Sequence, residues 1–254
     1  MRGPPSSLKR RVVRLDVVGS TNDVARQLAE LGWPEGTVVV AREQTAGRGR
    51  FGRRWESPSG GLWFSVILRP RAQPEELLKL PVLASLAVAR ALRRLYGLEA
   101  QLKWPNDVLV GGRKICGVLA ESSFSGDSLD FVILGIGVNA NFEPGALPEP
   151  VASSSTTLRA ELGHDVDLEE LLTAILAELE RCYTALLSGE ERPLIREAEE
   201  LMGLPRPVRV RVGQEELSGE ALGLDREGRL LLRLPDGRVL RVSWADATVV
   251  DGLA

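Results

Sequence analysis

The stretch Leu102-Lys103-Trp104-Pro105-Asn106-Asp107-Val108-Leu109-Val110-Gly111-Gly112-Arg113-Lys114-Ile115-Cys116-Gly117-Val118-Leu119-Ala120-Glu121 decides the fold class. Two β-rich runs flank Gly111-Gly112. A glycine pair in that position marks a tight hairpin, because both central residues of the favoured turn need positive φ. A further strand, 131–138, follows the turn-rich Ser125-Gly126-Asp127. Three strands joined by short turns form an antiparallel meander, whereas parallel neighbours need long crossovers. The expectation is an α+β chain with a mixed, largely antiparallel sheet and flanking helices. Lys103 and Lys114 are expected on neighbouring strands, and Pro105-Asn106-Asp107 reads as a turn.

Upstream lies Gln44-Thr45-Ala46-Gly47-Arg48-Gly49-Arg50-Phe51-Gly52-Arg53-Arg54-Trp55. Gly47, Gly49 and Gly52 have the G-x-G-x-x-G spacing of a dinucleotide site, which requires a helix to follow. The run 62–68 after it reads as a strand instead, and no H-R-D or D-F-G accompanies it as in a kinase. Glycine allows close backbone approach, successive N–H groups can cradle an anion, and arginine supplies planar cationic forks. The loop therefore reads as a wrap for something anionic. Taken alone, a solvated surface loop remains open.

The front of the chain adds a second polar cluster. A strand over 12–18 leads to Gly19-Ser20-Thr21-Asn22-Asp23, where Ser20-x-x-Asp23 before an apolar run signals a helix start. Plain capping explains it; free N–H groups and three short polar side chains could equally hold a small polar ligand. A strand over 37–42 enters the arginine loop. Residues 74–96 carry a helical apolar face, with Pro81 expected to break it or start a new first turn, and Gly97 to end it. The 131–138 strand runs into Gly135-Ile136-Gly137-Val138-Asn139, whose asparagine can read a base edge or hold backbone. Residues 142–157 read as loop, and 168–187 and 193–202 as helices. Beyond a linker at 203–207, five short runs (208–212, 216–224, 230–234, 239–242 and 247–250) in under fifty residues read as a small β-barrel.

Composition narrows the class. The chain has 254 residues, 44% of them hydrophobic, and a net charge of −3, which disfavours a general nucleic-acid binder. Cys116 and Cys182 fit no metal spacing and read as free thiols in a reducing compartment. The single histidine, His164, excludes a multi-histidine metal site. Residues 1–11 read as a loose tail without a signal-peptide core. No apolar run reaches membrane-spanning length, so the expected location is the cytoplasm.

In this order, Gly19 to Asn22, Gln44 to Trp55 with Ser57-Pro58, Lys103 to Asp107, Lys114 with Gly117, and Gly135 to Asn139 resemble the biotin protein ligase (biotin–acetyl-CoA-carboxylase ligase) family. The resemblance covers roughly 15–141. It implies a sheet like that of class II aminoacyl-tRNA synthetases and biotin ligases over 12–203, and an SH3-like barrel over 204–254. It implies activation of biotin by ATP and Mg²⁺ to biotinyl-5′-AMP, then transfer to a lysine of a biotin carboxyl carrier protein. Ser20, Thr21, Asn22 and Gln44 would take the ring end of biotin, with Gly47 and Gly117 beside it. Arg48, Gly49 and Arg50 would close over carboxylate and phosphates, and Lys114 would be the leading catalytic residue beside Arg48 and Arg50. Trp55, Lys103, Asn106, Asp107 and Asn139 would serve ATP, with Asp107 as a Mg²⁺ ligand and Phe51 only packing. Longer family members carry a DNA-binding domain in front. About a dozen residues precede the first strand here, so the expectation is a ligase with neither DNA nor membrane among its partners; a homodimer stays open. Alternatives are a lipoate–protein ligase, a non-catalytic vitamin or nucleotide regulator, and a Gly/Arg RNA-binding module. The 44–55 loop, with one large apolar side chain between Ala46 and Trp55, is expected to be mobile until ligand orders it.

Overall fold

A computed structural model describes residues 8, 11–126, 128–243 and 247–252. The loose tail expected over 1–11 therefore lies outside the described residues except for Leu8, buried in the main core, and Arg11, which opens the first strand.

The larger unit is built on one seven-stranded sheet. Its strands are β1 (Arg11–Val18), β2 (Thr37–Gln44), β3 (Leu62–Leu68), β4 (Ala100–Lys103), β5 (Asp107–Val110), β6 (Arg113–Ser125) and β7 (Ser128–Val138), in the spatial order β1-β2-β3-β7-β6-β5-β4. Among the described strand pairs of this sheet, β1 and β2 are parallel and the others antiparallel. Gly111 and Gly112 close the β5–β6 hairpin at φ 56° and 74°, values open to glycine and strained for other residues. One expectation fails. Lys103 on β4 and Lys114 on β6 are not on neighbouring strands, because the short run 107–110 is itself a strand and lies between them.

Period-two alternation divides the sheet between two cores. Val38, Phe64, Val66, Leu68, Val132 and Leu134 point to one face, against α2 (Leu80–Tyr96 in chain order) and the long helix Leu168–Ser188. Val39, Ile67, Phe131 and Ile133 point to the other, against Ala25 and Ala29 of α1 (Thr21–Glu30). α1 covers only part of its face. Beyond its N-terminus the same row of side chains continues as Ser65 on β3, Gly135 and Gly137 on β7, and Gly117 and Glu121 on β6. Small and polar residues there leave room where apolar ones would have filled it.

Pro81 stands in the first turn of α2, after a 3₁₀ turn over Pro74–Lys79, and Gly97 ends the helix at φ 66°. Two short helices, α3 (Val151–Ser154) and α4 (Leu158–Leu162), occupy ground read as loop or left unassigned; α5 (Leu168–Ser188) and α6 (Arg192–Leu201) match expectation closely. The five C-terminal strands are β8 (Arg206–Val212), β9 (Glu215–Leu224), β10 (Leu230–Arg233), β11 (Val239–Val242) and β12 (Ala247–Gly252), in the order β11-β10-β9-β8-β12. The outer strands β11 and β12 are not paired with each other among the described residues, which form an antiparallel sheet in which no barrel closure is seen. Its Val208, Val210 and Leu232 join the main core. Two hydrogen bonds fasten it: Trp104 Nε1 donates to Gly228 O at 3.2 Å, and Leu224 N donates to Glu199 Oε1 at 2.6 Å. Trp104 is 3% exposed. Trp104→Ala is therefore expected to cost about 3–5 kcal/mol of stability, the range for truncating a large core side chain. Denaturant unfolding checks this, and an unchanged midpoint would show that the joint carries no load.

Candidate functional site

The gap beyond α1 is a cavity of about 350 Å³. Three segments build it: the N-terminus of α1, the 44–55 loop, and the floor of β7, β6 and the turn before β5. Thirteen of the fifteen residues singled out in the sequence line it: Ser20, Thr21, Asn22, Gln44, Arg48, Gly49, Arg50, Trp55, Asn106, Asp107, Lys114, Gly117 and Asn139. Gly47 and Lys103 are not among the lining residues. A Cβ on Gly47 would come within 2.4 Å of Trp55 O and 2.8 Å of Ser57 Oγ, so this glycine serves the loop's own packing. Lys103 stands opposite Asp107 in the β4–β5 ladder.

One end is a hydrogen-bond network of neutral side chains tied to one carboxylate, Glu121. Ser20 caps α1, its hydroxyl accepting from Asn22 N, as the capping reading expects. Thr21 donates through N (2.8 Å) and Oγ1 (3.0 Å) to Gln44 Oε1, and Gln44 Nε2 donates to Ser57 Oγ at 2.8 Å. Ser65 Oγ lies 2.8 Å from Thr21 Oγ1 and 2.6 Å from Asn22 Oδ1. Asn22 Nδ2 donates to Glu121 Oε2 at 2.7 Å. Gly135 makes room for this: a Cβ there would lie 2.3 Å from Asn22 Oδ1.

The other end is charged. Lys114 Nζ lies 2.6 Å from Asp107 Oδ1, an ion pair whose angles are not those of a hydrogen bond. It also sits 4.9 Å from the Trp55 ring centroid. Trp55 lies over two glycines, for a Cβ on Gly117 would meet its ring at 2.9 Å and one on Gly137 would meet Nε1 at 2.5 Å. That Nε1 is buried without a hydrogen-bond partner among the described residues. Arg50 donates to Asn106 Oδ1 at 3.3 Å, and Asn106 Nδ2 donates to Val118 O at 2.7 Å. Burial lowers the Arg50 pKa to about 10, opposed by Asp107 and reinforced by Arg53. Arg50 stays charged at neutral pH, and a desolvated cation gains most from an incoming anion.

Arg48 forms a bidentate pair with Asp23, both contacts 2.7 Å, and lies 3.4 Å from Glu121 Oε2. The Arg48 hydrogen bonds hold the Asp23 carboxyl below its usual range. Because that folded-state pKa is depressed, the pair's contribution is fully present above the unfolded carboxylate value of about 3.9 and fades as pH falls through the lowered one. Asn139, 3% exposed, donates to Thr156 O at 3.1 Å and so holds backbone at the end of β7. Phe51 is not a packing residue: it is 55% exposed at the cavity mouth, at φ 58°, with the Arg50 guanidinium carbon 4.7 Å from its ring centroid. Asp23, Ser57, Ser65 and Glu121 were not singled out in the sequence. Of these, Asp23 and Ser57 lay inside recognised motifs. Both cysteines are buried and free; burial pushes the Cys182 thiol up to about 12 and Cys116 further.

With this geometry in hand, the comparisons identify the class first. Residues 15–139 match the Biotin/lipoate A/B protein ligase family, and 204–248 match the biotin protein ligase C-terminal domain. The biotin–[acetyl-CoA-carboxylase] ligase of Paracoccus denitrificans is 40% identical over 224 residues, covering 86% of this chain and 92% of its own. The bifunctional ligase/repressor BirA of Bacillus subtilis is 38% identical over 225 residues, covering 87% of this chain and 69% of its own. The structure of the Aquifex aeolicus biotin protein ligase in complex with biotin and ATP superposes with a TM-score of 0.81 at 32% identity, covering 94% of this chain and 98% of that one. This chain belongs to the biotin protein ligase family.

Proposed function

We infer that the protein is a biotin protein ligase, which activates biotin with MgATP to biotinyl-5′-AMP and transfers biotin to a lysine of a biotin carboxyl carrier protein or domain. The observation that carries this reading is one cavity with two unlike ends: neutral donors and acceptors around Asn22, and Arg50 and Lys114 beside Asp107. Biotin has the same polarity, a neutral cyclic urea at one end and a carboxylate at the other. The match of 204–248 to a biotin ligase domain favours biotin over lipoate.

In the first step a biotin carboxylate oxygen bonds to the α-phosphorus of ATP, and pyrophosphate leaves with the electron pair of the broken P–O bond. In the second the acceptor lysine's neutral ε-amine attacks the acyl carbon, AMP leaves, and the new amide nitrogen gives up its proton. Both steps spread negative charge, which fixed cations and N–H groups stabilise without reorganising. We assign Lys114 to the carboxylate and α-phosphate, Arg50 and Gly49 to the phosphates, and Ser20, Thr21, Asn22 and Gln44 to the ring. Trp55, with its unpartnered Nε1, and Asn106 are assigned to the nucleotide, with Asn139 and Lys103 supporting that end through backbone and strand. We assign Asp107 to Mg²⁺ as a ligand: its carboxylate lines the cavity, where the Lys114 ammonium lies 2.6 Å from Oδ1. Mg²⁺ is commonly held by one carboxylate and substrate phosphates, and the ion would neutralise phosphate charge. Among the described residues no cluster of three or more metal-ligating side chains exists, in keeping with phosphates completing such a site.

The test is ATP–pyrophosphate exchange with biotin and lipoate in competition. Exchange dependent on biotin and Mg²⁺ is expected; equal stimulation by lipoate, or none by biotin, would overturn the reading. The repressor activity in the Bacillus relative's name is not carried over. We propose that this 254-residue chain, with a net charge of −3, selects no duplex DNA; sequence-specific retention in a gel shift at physiological salt would contradict that. No helix among the described residues is long and apolar enough to cross a membrane.

We also propose that the 44–55 loop is mobile until ligand orders it. Among the described residues three backbone hydrogen bonds tie 46–55 internally: Gly49 N to Arg53 O at 2.7 Å, Arg53 N to Arg50 O at 3.2 Å and Trp55 N to Gly47 O at 2.9 Å. Holding eight residues costs roughly 8–16 kcal/mol of backbone entropy. Carboxylate partners of Arg48 and Arg54 offset part of the arginine repulsion expected from the sequence. Trypsin should cut the free enzyme fastest at these arginines, and biotin with ATP should protect them. Equal rates with and without ligand would show a preformed loop.

A further inference from the structure

Arg48 stands out among the cavity's cations because its charge is already spent. Its two terminal nitrogens meet both carboxylate oxygens of Asp23 at 2.7 Å, and Glu121 adds a second carboxylate at 3.4 Å. Two carboxylates already partner this guanidinium, and with Arg26 4.0 Å from Glu121 the cluster of Asp23, Glu121, Arg48 and Arg26 is balanced, so no excess positive charge is left for another anion. Lys114 and Arg50 instead both have Asp107 as a neighbouring carboxylate. The geometry around Glu121 extends the argument. One oxygen, Oε2, accepts from Asn22 Nδ2 at 2.7 Å and faces Arg48 at 3.4 Å and Arg26 at 4.0 Å. An ionised carboxylate can only accept. It therefore forces the amide NH₂ of Asn22 toward β6, and leaves Oδ1 to accept from Ser65 at 2.6 Å. Asn22 cannot relax downward, since Gly135 has space for nothing larger than hydrogen beneath it.

Three elements meet in this knot: Asp23 from the first turn of α1, Arg48 from the glycine–arginine loop, and Glu121 from β6. Asp23 is also well placed electrostatically, because a carboxylate in a first turn complements the helix dipole. The knot joins the loop to the neutral end of the cavity, not to the phosphate end.

We propose that Asp23 and Glu121 are positioning residues, which fasten the loop through Arg48 and set the amide orientation of Asn22, so that Arg48 is a fastening and not an anion ligand. This rests on the biotin reading of the cavity. Glu121→Gln would present a group that can donate or accept, freeing Asn22 to flip and weakening the hold on Arg48. Asp23→Asn would loosen Arg48 alone.

The experiment uses the full chain: biotin affinity by calorimetry, trypsin cleavage after the loop arginines with and without biotin, and the thermal midpoint. In the wild type biotin should bind and slow cleavage. Glu121→Gln should weaken biotin roughly tenfold or more, the scale of one charge-assisted hydrogen bond, and lose the biotin protection of the loop. Asp23→Asn should speed loop cleavage with a smaller change in biotin affinity, while the ATP KM in exchange at saturating biotin stays within about twofold for both variants. Glu121→Asp, which keeps the charge, should recover part of the affinity. Wild-type biotin affinity and loop protection in both variants would overturn the proposal. A uniform loss tracking a fallen thermal midpoint would also overturn it, showing a merely structural role. A wild type that binds biotin without loop protection would sink it alone, and one that binds no biotin would sink the ligase reading with it.

Discussion

Lys114→Ala is expected to slow biotin-dependent ATP–pyrophosphate exchange about 100-fold, a loss of about 3 kcal/mol in transition-state stabilisation. Lys114 Nζ is held over Trp55 at 4.9 Å from the ring centroid and 2.6 Å from Asp107, in a half-buried part of the cavity where a cation acts more strongly than in bulk. The backbone of β6 carries it there, and Gly117, three residues on, leaves the aliphatic stem its path: a Cβ on Gly117 would come within 3.2 Å of Lys114 Cε and Nζ. Truncation removes charge at the reacting centre and breaks the ion pair with Asp107. Exchange kinetics at saturating biotin and ATP provide the check. A fully active Lys114→Ala enzyme would take this residue out of the mechanism.

Gly135→Ala should weaken biotin roughly 10- to 100-fold while leaving the protein folded. Gly135 is not in the left-handed region, so alanine brings no backbone strain. Its new Cβ, however, would sit 2.3 Å from Asn22 Oδ1. Asn22 must then leave its bonds to Ser65 and Glu121, and each buried hydrogen bond of this kind is worth about 0.5–3 kcal/mol. Gly145→Ala, with no atom within 4 Å of the added carbon, is the matched control. Calorimetric titration with biotin reads the effect, and equal affinities for Gly135→Ala and Gly145→Ala would show that Asn22 does not face the ligand.

These two residues also illustrate what a one-dimensional reading can reach. Lys114 was found because it stands in an ordered string of motifs, each carrying local chemistry: a glycine pair that needs positive φ, a serine that caps a helix, a cluster of arginines. Strand 62–68 and the caps at Ser20 and Gly97 were legible for the same reason, since their causes lie within a few residues. What escaped depends on long-range pairing. Glu121 has the pattern of an ordinary strand residue until β6 is set beside β7 and α1, 99 residues away in sequence at Asn22. Ser65 is a lone polar residue in an apolar strand, a signal that could have been weighed. Lys103 was placed beside Lys114 because 107–110, only four residues long, was not separated as a strand of its own. Gly47 belonged to the motif but not to the cavity, as its neighbours Trp55 O and Ser57 Oγ are fixed by the loop's fold-back. The closure of the C-terminal strands was assumed from their number, yet closure depends on whether β11 and β12 meet, which local patterning does not encode.

The central claim is that this cavity makes an activated biotin and hands it to a protein lysine. Mass spectrometry of a biotin acceptor domain incubated with the protein, biotin and MgATP tests it most directly. The account predicts addition of one biotinyl group, in amide linkage at a single lysine, dependent on ATP and strongly slowed in Lys114→Ala. An acceptor domain of unchanged mass, or one that takes up lipoyl groups as readily as biotinyl groups, would contradict it.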